Sequence, residues 1–86
     1  MGAAEAAGCC RIHPRLLERL VQLGLCDPLA WDDRRREWIF SRDIIPLVRR
    51  IMRLRRELGI NYAGIGVVLD LLARIETLEA QLSGSK

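Results

Sequence analysis

The chain has 86 residues, half of them hydrophobic but only 5% aromatic, with a formal net charge of +3. That length allows one small domain with little interior. Its core must be mostly Leu, Ile, Val and Ala, which suits packed helices and disfavours a β-sandwich. The charge is unevenly spread. Residues 1–33 carry three Arg against five acids, residues 34–56 nine Arg against two acids, and residues 57–86 one Arg and one Lys against four acids. The middle segment is therefore a basic block of net +7, readable as a solvated face or as a surface for nucleic acid or an acidic protein. No apolar run approaches the roughly 18 residues of a membrane span. The start, MGAAEAAGCC, has neither the basic region nor the apolar stretch of a signal peptide. Three Cys, an odd number with two adjacent, give no disulfide framework, and a reducing cytoplasm is the expected compartment.

In chain order, Ala3 to Ala7 reads as a short helix ended by Gly8. Residues 13–23 read as an amphipathic helix with Pro14 in its first turn, where a missing N–H costs nothing. Leu16, Leu17, Leu20, Val21 and Leu23 form its apolar face. Arg15, Glu18, Arg19 and Gln22 face water, and Gly24 is the expected left-handed stop. Residues 3–24 thus have the shape of a helix-turn-helix. Residues 29–40 place Trp31 and Trp38-Ile39-Phe40 around a polar run, as in a β-hairpin wing. Strand alternation puts Trp38 and Phe40 on one face, where they are expected to anchor the wing to the core.

A helix is expected over residues 43–58, capped by Ser41 or Asp43, with Pro46 in its first turn. Leu47, Ile51, Leu54 and Leu58 make its apolar stripe, widened by Ile44, Val48 and Met52. Arg49, Arg53 and Arg56 line another face, flanked by Arg50 and Arg55. Gly59 ends this helix and Asn61 caps the next, residues 62–82, before a frayed tail at 83–86. Val68, Leu71, Ile75, Leu78 and Leu82 keep a coiled-coil rhythm beside a second stripe of Ile65, Leu69 and Leu72. Two stripes imply two neighbours: the domain itself and a second copy of the chain. The competing reading is a single intramolecular core.

Little chemistry is visible. There is no nucleotide-binding glycine motif, no Cys-x-x-Cys pair and no acid/base pair of carboxylates, so neither an enzyme nor a cofactor is expected. Cys9, Cys10, His13 and Cys26 cluster enough to be weighed as metal ligands. Adjacent Cys side chains diverge, however, and packing in the core or turn is the expected reading. A DNA-binding reading would use Arg15 and Arg19 of the second helix, Arg34, Arg35 and Arg36 of the wing, and Arg49 and Arg53 beyond it. Glu18 sits poorly in that scheme, because a carboxylate repels phosphate.

The order helix-turn-helix, wing, long helix, long helix resembles the DNA-binding domain of the MerR family. The expected fold is mainly α: a MerR-like winged helix-turn-helix with a short β-hairpin wing and two long C-terminal helices, one domain over residues 1–82. The family's second helix and wing correspond here to Leu17-Glu18-Arg19-Leu20-Val21 before Gly24-Leu25, and to Glu37-Trp38-Ile39-Phe40-Ser41. Glu18, Leu20 and Trp38 stand where the family carries phosphate-holding Arg and Tyr. A closer resemblance is to the CbpM family of chaperone modulators. It rests on Trp38-Ile39-Phe40, Ile45-Pro46, Arg53-Leu54-Arg55-Arg56-Glu57-Leu58-Gly59-Ile60-Asn61, Ala63-Gly64-Ile65 and Val68-Leu69-Asp70-Leu71-Leu72. Repressors of the HspR type carry a turn similar to the one after Gly59, so that turn alone does not separate the two families.

The CbpM resemblance implies binding to the J-domain of a DnaJ-like co-chaperone of the CbpA type, and inhibition by occlusion. J-domains are often basic on the helix that faces their chaperone partner. Acidic or apolar surface is therefore the expected contact, with Asp32, Asp33 or the exposed part of the last helix as candidates. The alternative is a MerR-like or HspR-like transcription regulator using the arginines named above.

Overall fold

The computed structural model describes residues 1–84. Four helices and one hairpin follow in the order α1 (Ala3–Cys10), α2 (Pro14–Gln22), β1 (Ala30–Asp32), β2 (Glu37–Ile39), α3 (Ile44–Leu58) and α4 (Tyr62–Gly84). The mainly helical winged helix-turn-helix expected from the sequence is the fold observed.

Helix α1 buries Ala6, Ala7 and Cys10. It runs through Gly8 and does not stop there, because continuing one turn brings Cys10 into the core. That burial outweighs the roughly 1 kcal/mol helix penalty of an exposed Gly. The helix closes at Arg11, whose φ of 59° is left-handed. The Arg11 N–H donates to the Gly8 carbonyl at 3.1 Å and the Ile12 N–H to the Ala7 carbonyl at 3.0 Å. This is a Schellman closure. The end of α2 repeats it with Gly24 at φ 75°: the Gly24 N–H reaches the Val21 carbonyl at 3.0 Å and the Leu25 N–H the Leu20 carbonyl at 2.9 Å. Leu23, expected on the apolar face of α2, is instead 42% exposed at that closure.

The hairpin pairs Ala30 with Ile39, Trp31 with Trp38 and Asp32 with Glu37 in antiparallel register. Residues 1 and 2 add to its base: Gly2 bridges Ile39, and the Phe40 N–H donates to the Met1 carbonyl at 2.6 Å. Phe40 drops into the core at 2% exposure, as expected, whereas Trp38 stays 38% exposed. Strand β2 ends at Ile39, so Phe40 is free to turn inward while Trp38 is held opposite Trp31. The expectation that both aromatics anchor the wing holds for Phe40 only.

Asp43 sits at the start of α3 without a side-chain cap bond; the Ser41 hydroxyl accepts from the Asp43 N–H at 3.2 Å. The buried stripe of α3 is Ile44, Val48 and Ile51, with Leu47 and Leu54 at its margin. All of these belong to the expected stripe or its widened edge; Leu58, also expected there, is 49% exposed. Gly59, φ 66°, ends α3 as a left-handed cap, and the Asn61 side chain accepts from the Gly64 N–H at 2.8 Å to start α4. The two helices meet at 109°.

Ile65 is the fully buried residue of α4, and Leu69 packs partly against the core. Leu71, Ile75, Leu78 and Leu82 are 49–72% exposed. One stripe therefore serves the domain, and the other, half-buried at Val68, is exposed from Leu71 onward. Helix α4 continues through Ser83 and Gly84, so those two residues are not a frayed tail; Ser85 and Lys86 lie outside the described residues. The extended α4 makes the molecule long, at 52 × 29 × 19 Å. Its radius of gyration of 15.0 Å exceeds the roughly 12 Å of a compact chain this size. Among the described residues, no single helix is long and apolar enough to cross a membrane.

Candidate functional site

Two concave surfaces flank the α1–α2 turn. The first lies between α2 and the wing. His13 begins α2, its Nδ1 accepting from the Arg15 N–H at 3.0 Å. With Leu17 and Leu20 turned inward, Arg15, Glu18, Arg19 and Gln22 are left outside. Across a cleft from Arg15 and Glu18, the wing turn is shaped by Asp32. Its carboxylate accepts from the Arg34 N–H at 3.0 Å and the Arg35 N–H at 3.4 Å. Arg36, at φ 52°, closes the four-residue loop, as a left-handed residue does in longer hairpin turns. Arg34, Arg35 and Arg36 consequently stand exposed at the wing tip.

Trp31 and Trp38, opposite each other in the ladder, meet edge to face with centroids 5.0 Å apart. The Trp31 indole N–H donates to Asp33 at 3.0 Å. Both rings are about two-fifths exposed, and Leu29 beside them is 70% exposed. The cleft they border measures 280 Å³ and is lined by Arg15, Glu18, Trp31, Arg36, Glu37 and Trp38 among others. Two carboxylates, two guanidinium groups and an apolar aromatic pair make this a mixed surface. Partly exposed Trp with polar neighbours is the chemistry of a protein-binding anchor. Asp32 is half-buried and already bonded within the turn, while Asp33 is exposed.

The second surface is a groove of 980 Å³ between the α1–α2 turn and α3. Arg11, Arg49, Arg50, Arg53, Arg55 and Arg56 line it with Ile12, Ile45, Pro46, Met52 and Tyr62, and no acid does. Arg55 lies over the Tyr62 ring, 4.4 Å from its centroid, a cation–π contact. Arg49 and Arg53, named from the sequence, thus belong to this groove, whereas Arg15 and Arg36 border the other cleft.

The cysteines do not converge on a metal. Cys10 and Cys26 are buried in the core and Cys9 is exposed. Burial, the neighbouring Cys9 and, in opposition, Arg49 leave the Cys10 thiol above its ordinary pKa. Burial, Asp27 and Cys10 push the Cys26 thiol up to about 11. Both are therefore neutral thiols near pH 7, packed as small hydrophobes. The His13 ring nitrogen is occupied as a helix cap, a role its sequence position before Pro14 would have allowed. No grouping of three or more metal-ligating side chains occurs among the described residues.

The fold, the turn glycines and the wing define a MerR-type winged helix. The sequence pattern of MerR HTH family regulatory proteins matches residues 1–86, and the chain belongs to that family. It is also similar to the chaperone modulatory protein CbpM of Salmonella paratyphi B (strain ATCC BAA-1250 / SPB7), Salmonella newport (strain SL254) and Salmonella enteritidis PT4 (strain P125109). Each is 38% identical over 56 residues, covering 65% of this chain and 54% of the relative. The chain spans about half the length of these curated relatives.

Proposed function

We propose that this protein is a cytoplasmic chaperone modulator that binds the J-domain of a DnaJ-like co-chaperone of the CbpA type and inhibits it by occlusion, without chemistry of its own. The observation that carries the reading is the α2–wing face. Where a DNA reader needs a basic helix surface, α2 presents Glu18, and the wing presents the half-exposed Trp31–Trp38 pair. An aromatic pair beside Glu18, Asp33 and Glu37, with Arg15 and Arg36 at the same cleft, offers apolar area and carboxylate acceptors to a basic J-domain helix. The similarity to proteins named chaperone modulatory protein CbpM supports the same reading. Occlusion is tested by adding the protein to a co-chaperone-stimulated ATPase assay. Stimulation should fall to the unstimulated rate at stoichiometric protein, and undiminished stimulation would reject the reading.

A second copy of the chain is the proposed cover for Leu71, Ile75, Leu78 and Leu82 of α4, whose spacing is that of a coiled-coil seam. A second function, DNA-binding regulation, is favoured by one feature, the exposed arginines at the wing tip and on α3. It predicts operator binding with a steep salt dependence, reduced by about three units of log–log slope when Arg34, Arg35 and Arg36 are replaced together.

A further inference from the structure

The arginine-lined groove is left unused by the J-domain reading, since six guanidinium groups repel a basic partner. We infer that it binds an acidic, amphipathic protein segment, with carboxylates on the rim arginines and apolar side chains on the floor. Arg49, Arg53 and Arg56 recur at four and three residues along one face of α3, a row about 10 Å long at 1.5 Å per residue. Arg11 projects from the α1–α2 turn into the same groove. Among the described residues, the ion pair formed is Arg74 with Asp70 on α4, so no carboxylate neutralises the groove. Guanidinium rows of this kind take carboxylates in bidentate pairs.

The floor separates the possible occupants. Ile12 and Met52 are half-buried there. A peptide can set apolar side chains on them, which a phosphate backbone cannot. Single-stranded nucleic acid would instead require a free aromatic platform for its bases. The one ring in the groove, Tyr62, is already covered by Arg55. Arg11 adds an independent hint. It holds a left-handed position that the matching closure of α2 gives to Gly24, so a long cation stands where the backbone prefers none.

The full chain is titrated against a fluorescein-labelled synthetic helical peptide of Glu and Leu, followed by anisotropy. A Leu→Ser counterpart and oligothymidylate serve as comparators. Saturable binding is expected, weakened by the Leu→Ser change. Arg49→Gln with Arg53→Gln should lower affinity by about tenfold or more, the loss of two charge-assisted hydrogen bonds. Arg34→Gln with Arg35→Gln removes equal charge at the wing and should leave affinity within about twofold. Arg11→Gly should also weaken binding while leaving the thermal midpoint unchanged or higher, so lost affinity is not lost folding. Absence of binding, equal losses in the two double variants, or displacement of the peptide by tighter-binding oligothymidylate would overturn the proposal. Because J-domain binding is read in a separate titration, either reading can fail without the other.

Discussion

Arg11 and Gly24 occupy the same place in two equivalent helix closures, at φ 59° and 75°. A non-glycine residue in this region costs about 1–2 kcal/mol, partly offset by the greater freedom of Gly in the unfolded chain. Arg11→Gly should therefore stabilise the domain by about 0.5–1 kcal/mol in urea unfolding, and Gly24→Arg should destabilise it. The buried thiols give a second residue-scale prediction. Cys26 titrates near 11 when folded, against its ordinary 9.0. The folded state thus holds a proton that the unfolded state releases first. This contribution is complete below about pH 9 and is lost as pH rises towards 11. The unfolding midpoint should drop across that window, and the drop should be smaller in Cys26→Ala. At neutral pH a thiol reagent should label Cys9 at once, and Cys10 and Cys26 only on unfolding.

At the scale of elements, the wing is held by a few bonds that can be removed singly. Asp32→Ala deletes the acceptor for the Arg34 and Arg35 N–H groups and should cost about 0.5–2 kcal/mol, in the range of other side-chain caps. Chemical-shift changes should be confined to the hairpin. The ends of α2 and α3 and the start of α4 were legible in the sequence because their causes are local: Gly24 and Gly59 supply left-handed φ, and Asn61 caps the residue three ahead. The end of α1 was not, because Gly8 lies inside the helix and Arg11 closes it. The wing was legible for the same reason, as a polar run between apolar ends. Faces were less so. Alternation treats Trp38 and Phe40 alike, yet the register sets Trp38 against Trp31 and the end of β2 releases Phe40 into the core. In α3 the core centres on Ile51 and on Ile44 and Val48 from the edge of the expected stripe, and leaves Leu58 outside. Helix periodicity offers several overlapping stripes, and packing against α1 and α4 selects one. The arginine groove joins the α1–α2 turn to α3, residues about forty apart in the chain, so no local pattern announces it.

The whole molecule is a small winged domain carrying a long lever. Helix α4 extends well past Ile65, its last fully buried residue, and beyond Leu72 every described residue of it is exposed. A row of four apolar residues open to water is unfavourable by about 25 cal/mol per Å² of apolar area that a partner could cover. Sedimentation equilibrium should give twice the 9.8 kDa chain mass. Ile75→Glu with Leu78→Glu should return it to the monomer without melting the winged domain, because neither side chain belongs to the core.

The two concave surfaces differ in the partner each can accept. The α2–wing cleft offers tryptophans among carboxylates and two arginines; the α3 groove offers guanidinium groups around an apolar floor with no acid. The central claim, that the first of these captures a basic J-domain, is tested most directly by isothermal titration of the full chain with the J-domain of a CbpA-type co-chaperone. One J-domain per chain should bind, and Trp31→Ala with Trp38→Ala should weaken binding by about thirtyfold or more, as loss of an interface anchor worth about 2 kcal/mol requires. Binding that survives this double substitution unchanged, or no binding to any J-domain from the same cell, would contradict the account.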